Sequence, residues 1–87
     1  MRTDVEEILG GMPPEDRERL RAMSQDDLIL LHHALGMELR NAFRANRFPG
    51  LSAYCHAAVE ESGEPLSFDA LSSVAIRKIW RILQKSA

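Results

Sequence analysis

Three histidines and one cysteine are the residues of this 87-residue chain best equipped for chemistry. They come as two adjacent pairs, His32-His33 and Cys55-His56. Neighbours on a helix diverge by about 100°, so neither pair can close on one ion or form a nucleophile–base dyad. The best local pair is His56 with Glu60, at i and i+4. A metal site, and with it a metal-dependent hydrolase, would need His33 or His32 to join them from another helix. Neither C-x-x-C nor H-E-x-x-H spacing is present. The simpler reading makes His32 a hydrogen-bonded core histidine, Cys55 a small buried apolar group, and His56 and Glu60 solvated. G-x-S-x-G, the P-loop and G-x-G-x-x-G are also missing, so the residues imply no catalytic set, no metal ligands and no cofactor.

Charge is the second source of chemistry. The net charge of −2 is spread unevenly, with residues 1–30 at −4, 31–59 at +2, 60–69 at −4 and 70–87 at +4. Asp26 and Asp27 stand where a third helix would begin, and Arg44 and Arg47 where it would end, an order that complements the helix dipole. Dipole compensation does not require four cations in nine residues, however. Arg77, Arg81 and Lys85 fall at i, i+4 and i+8 on one stripe, and Arg40 with Arg44 repeats the spacing. Such stripes are first of all a solvated face; as contacts they suit an acidic protein surface or, less well, nucleic acid, whose binders usually carry a basic excess over the whole domain. The aromatics also do not interleave with the bases as a single-strand binder prefers.

The elements that would carry these groups are helical. Alternation of apolar and polar residues with β-branched enrichment is missing, whereas helix punctuation is frequent. A first helix runs Thr3 to Leu9, with Thr3 as cap, and stops at Gly10-Gly11. Pro14 opens a second short helix anchored by Leu20 and Met23. Ser24 caps a long third helix reaching Ala45, whose apolar arc is Leu28, Leu31, Leu35, Leu39, Ala42 and Phe43. A fourth helix spans Leu51 to Ser62, and Ser67 caps a fifth carrying Phe68, Leu71, Ala75, Ile76, Ile79, Ile82 and Leu83 on one face, with Trp80 at its edge. The expected architecture is an all-α bundle of about five helices, the third and fifth longest. It forms a single domain over 1–87, with short N-terminal helices in 1–23 and the core bundle in 24–87.

Within the third helix Gly36 is conspicuous, because a mid-helix glycine costs about 0.5–1 kcal/mol relative to alanine. Its place at the margin of the apolar arc predicts a tight helix crossing, with His32 inside that arc one turn below. Leu30, Ala34 and Met37 lie off the arc, which marks either a helix buried all round or an interface. The longest apolar run, Leu28 to Leu31, is far short of the ~20 residues of a membrane span. The acidic start Asp4, Glu6, Glu7 is unlike a secretory signal, and the lone cysteine suits a reducing compartment, so a cytoplasmic location without membrane contact is expected.

The stretch LHHALGMELRNAF, with IRKIWRIL downstream, resembles a family of small bacterial domains of unknown function. The family pattern is close to L-H-x-x-L-G-M-x-[IL]-R-N-x-F followed by a C-terminal I-x-x-x-W-x-x-L. Leu31, His32, Leu35, Gly36, Met37, Leu39, Arg40, Asn41 and Phe43 match the first block, and Ile76, Trp80 and Leu83 the second. The likeness covers roughly residues 28–84, departs between Arg44 and Phe68, and brings no activity with it. It implies that Gly36, Arg40, Asn41 and Trp80 belong to one structural unit in which Arg40 and Asn41 fasten the loop after the third helix. His32, read above as a core histidine, is expected to be structural as well.

The expectation is therefore a non-catalytic protein-binding module: an inhibitor, immunity or adaptor protein, including a phage or mobile-element blocker of host defence of the anti-CRISPR kind. Its contact residues are expected to be Arg40, Arg44, Arg77, Arg81, Lys85, Leu30 and Met37. A nucleic-acid-binding regulator using the basic helix stripes is the first alternative and a metal-dependent hydrolase the second. A second copy of the chain, in a homodimer, is a further candidate partner.

Overall fold

A computed structural model describes residues 1–85. It contains helices α1 (Arg2–Gly10) and α2 (Pro14–Ala22), a 3-10 helix (Gln25–Leu31), then α3 (Leu35–Arg44), α4 (Pro49–Ser62) and α5 (Phe68–Lys85). The described residues are thus all-helical, with six helices rather than about five.

Most boundaries follow local chemistry. Pro14 and Pro49 each occupy the first turn of a helix, where the missing N–H costs nothing. Ser67 Oγ accepts the Ala70 N–H at 3.1 Å and caps α5 as expected. The cap expected of Thr3 does not form; α1 starts at Arg2. The α4 N-terminus is capped from a distance, because Asp4 Oδ2 on α1 accepts the Leu51 N–H at 2.9 Å. That approach requires glycine at position 50, where a Cβ would lie 2.7 Å from the Met1 nitrogen.

The main correction concerns the long third helix. It is broken: the 3-10 helix ends at Leu31, a turn covers His32–Ala34, and α3 starts at Leu35, leaving α5 and α4 as the longest elements. Arg40 holds the break open by donating from Nη2 to the His32 carbonyl at 3.3 Å, giving that carbonyl a partner outside the helical ladder. Gly36 therefore stands one residue inside the start of α3, not at the centre of a long helix.

α3 and α4 both pack along α5, and α1 leans on α4 and α5. Val5, Leu51, Cys55, Val59, Ala75, Ile76 and Ile79 form the most deeply buried part of the core. Without a continuous helical register, Ile29 is left 68% exposed.

Candidate interaction surfaces

The polar centre of the molecule is Arg40. Its guanidinium donates to the His32 carbonyl and to Ser72 Oγ (3.4 Å), and pairs with Asp69 Oδ1 at 3.3 Å. The Arg40 side chain is only 17% exposed and Ser72 is fully buried. Arg40, expected on a contact stripe, is turned inward. It fastens the turn before α3, and not the loop after it as the family likeness implied. Gly36 makes room for this: a Cβ there would sit 3.2 Å from Arg40 Nη1 and 3.7 Å from Ile76 Cδ1. The close approach expected at Gly36 is thus to a guanidinium and one α5 side chain.

His32 is half-buried, and its Nε2 lies 3.2 Å from Ser73 Oγ. The single hydroxyl hydrogen of Ser73 goes to the Asp69 carbonyl at 3.0 Å. In that arrangement Nε2 is the donor toward Ser73 Oγ, so the pair clasps the turn to α5 and the histidine does not draw a proton from serine. Ser72 and Ser73 were missed from sequence, although two adjacent serines inside the apolar run of α5 are a readable signal. Asn41, expected beside Arg40 in this unit, is exposed. Trp80 lies in a separate contact, donating from Nε1 to the Met23 carbonyl at 2.9 Å.

The histidine and carboxylate pair considered for metal does not gain its third member. His56 Nδ1 is 2.8 Å from the Ser52 carbonyl, and no group of three His, Cys, Asp or Glu residues that could hold an ion forms among the described residues. Cys55 has zero exposure, and burial pushes its thiol up to about 12, the opposite of an activated nucleophile.

The other expected contact residues face outward. Arg77, Arg81 and Lys85 are exposed along α5 and make no ion pair among the described residues. Arg77 and Arg81 line one shallow groove with Tyr54 and Glu64. Arg44 is also exposed but is occupied, lying 4.9 Å over the Phe68 ring. Leu30 is 70% exposed and Met37 52%; with Ile29 they place three large apolar side chains in water at the 3-10 helix and the first turn of α3.

A further concavity was not anticipated. Because α1 leans on α4 and α5, a gap remains between its C-terminal end and α3. Two hollows of about 320 and 540 Å³ share Ile8, Gly11, Leu35 and Glu38 and so form one channel. Compared with protein families, curated proteins and solved structures, the chain matches none.

Proposed function

We propose that this chain is a non-catalytic protein–protein interaction module of the cytoplasm, acting as an inhibitor, immunity or adaptor protein, of the kind a phage or mobile element uses to block host defence. The observation that carries this reading is the exposure of Ile29, Leu30 and Met37 around the break before α3. An isolated exposed leucine is ordinary, but two consecutive large aliphatic side chains in water, with a third on the first turn of the next helix, mark this end of the molecule as the candidate contact surface. The rigid clasp beneath it supports the same reading, since Arg40, His32, Ser72 and Ser73 hold the turn on α5 and pre-order the patch before a partner arrives. No helix among the described residues is long and apolar enough to cross a membrane.

The test is affinity capture from the native host with the unaltered chain and with Leu30→Asp/Met37→Asp. The expected result is one dominant protein recovered by the first and lost by the second at an unchanged melting temperature. Equal recovery by both would remove the patch from the interface.

A second reading, a nucleic-acid-binding regulator, rests on Arg77, Arg81 and Lys85 projecting without ion pairs among the described residues. It predicts a mobility shift of DNA or RNA that weakens steeply with salt and disappears in Arg77→Glu/Arg81→Glu. No shift at low ionic strength removes it.

A further inference from the structure

The channel between α1 and α3 has a composition that specifies its occupant. Eleven partly buried hydrophobics pack against the core, and six of them, Ile8, Met12, Met23, Leu31, Leu35 and Phe48, line this channel. More than half of these half-covered apolar residues are thus gathered into one feature. Buried Leu20, Leu39 and Ala42 complete its lining. Met12 and Met23 add unbranched side chains that adjust to an incoming shape.

Five charged residues lie along its walls: two neutralise each other as an ion pair, and a third is a cation that keeps its charge while lying over an aromatic ring. Asp16 pairs with Arg19 at 3.9 Å, and Arg47 lies 4.9 Å over the Phe48 ring. Glu7 on α1 and Glu38 on α3 remain, and neither makes an ion pair among the described residues. Both line the wider hollow, one from each of the helices that bound it. An apolar trough with two unneutralised carboxylates calls for a ligand that is apolar on one face and cationic beside it. The trough runs between two helices, a setting in which a third helix buries its apolar face well.

We propose that this channel docks an amphipathic helix of a partner protein, bearing large apolar residues at i, i+3 or i+4 and i+7, with lysine or arginine placed against Glu7 and Glu38. This rests on the reading of the chain as a protein-binding module and assigns it a second face, separate from Leu30 and Met37. The occupant's charge distinguishes it from a generic hydrophobic contact, because an acidic helix of the same apolar pattern meets two like charges.

The experiment selects from a phage-displayed library of 14-residue helical peptides, with the intact chain as bait, and measures the winners by fluorescence anisotropy. Selected peptides should carry a helical apolar stripe and net positive charge. Their binding should fall about tenfold or more on Glu7→Lys/Glu38→Lys, a pair of exposed substitutions that leaves the melting temperature unchanged, and should be indifferent to Leu30→Asp. Acidic or charge-indifferent winners, equal binding to the double variant, or no selection at all would overturn the proposal. Winners that lose binding on Leu30→Asp alone would overturn the channel while leaving the protein-binding reading in place. A concentration-dependent dimer of the chain that Glu7→Lys/Glu38→Lys abolishes would give the channel to a second copy, and would also overturn it.

Discussion

At the scale of single residues, Arg40 does more for this structure than its place in a basic stripe suggests. It supplies donors to the His32 carbonyl and to a fully buried serine hydroxyl; its truncation would strand the carbonyl and leave Ser72 Oγ with only its own bond to the Asp69 carbonyl at 3.0 Å. Arg40→Ala should cost about 1–3 kcal/mol, the usual loss when buried partners are left unsatisfied. For a chain of this size that lowers Tm by roughly 4–24 °C. Asp69→Asn, by contrast, removes a carboxylate that is 81% exposed, and should change stability by less than about 1 kcal/mol. Thermal melts of the two variants check this, and equal losses would mean that the ion pair rather than the buried bonds holds the turn. Arg40→Lys should recover little, since a single ammonium cannot reach partners spread around a planar fork. Gly36 belongs to the same construction. Gly36→Ala gains about 0.5–1 kcal/mol of helix propensity and crowds Nη1, and should be close to neutral. Gly36→Leu must displace the guanidinium and Ile76, with a loss of about 1–3 kcal/mol visible as a clear drop in Tm. An unchanged melt for Gly36→Leu would mean that the position faces water.

At the scale of elements, the joint between α2 and the 3-10 helix is held to α5 by three side-chain bonds. Trp80 Nε1 donates to the Met23 carbonyl, Arg21 to the Leu83 carbonyl at 3.2 Å, and Gln84 Nε2 to the Arg21 carbonyl at 2.7 Å. Trp80→Phe keeps most of the apolar contact and deletes one donor, so about 1 kcal/mol and roughly 4–8 °C in Tm should be lost. Hydrogen exchange should locate the effect, with faster exchange at the 3-10 helix amides and little change in α4. A uniform acceleration would show that the bond contributes only to global stability. This joint also marks where the sequence stops being readable. The glycine, proline and serine signals around α1, α2, α4 and α5 are local, and those helices lie close to their expected places. The break at His32–Ala34 is set by Arg40 reaching back eight residues and by Ser73 meeting His32 across 41 positions. A helical wheel assumes that Leu28 and Leu39 share one axis and has no access to such ties. The same limit hid the channel, which arises from how α1 is seated and leaves no motif. Leu30 and Met37 lie off the main stripe, but a wheel leaves open whether they are buried all round or exposed, and their 70% and 52% exposure decides for the second.

At the scale of the whole molecule, the radius of gyration of 12.1 Å equals the ~12 Å typical of a folded chain this long. Its buried residues form one core cluster to which α1, α2, the 3-10 helix, α3, α4 and α5 all contribute. A domain this small has a thin core, so a single buried titratable group should influence the stability of the entire fold. Cys55 is that group. Its thiol has no exposure and is raised from 9.0 to about 12 by desolvation. In the unfolded chain the thiol ionises near its ordinary value, whereas the folded chain retains the proton. Above pH 9 the unfolded state therefore binds fewer protons than the native state, and stability falls as pH rises toward 12. The contribution of Cys55 is read by difference, against a variant that lacks the thiol. Denaturant melts from pH 8 to 11 should show a steeper alkaline decline in the unaltered chain than in Cys55→Ala, whose starting stability is lower because a small cavity replaces the sulfur. Maleimide labelling at pH 8 should be slow in the native protein and fast in denaturant, at a rate that follows global unfolding. Rapid native labelling, or parallel alkaline limbs for the two proteins, would mean that the α4–α5 interface opens locally and that the core does not behave as one cooperative unit.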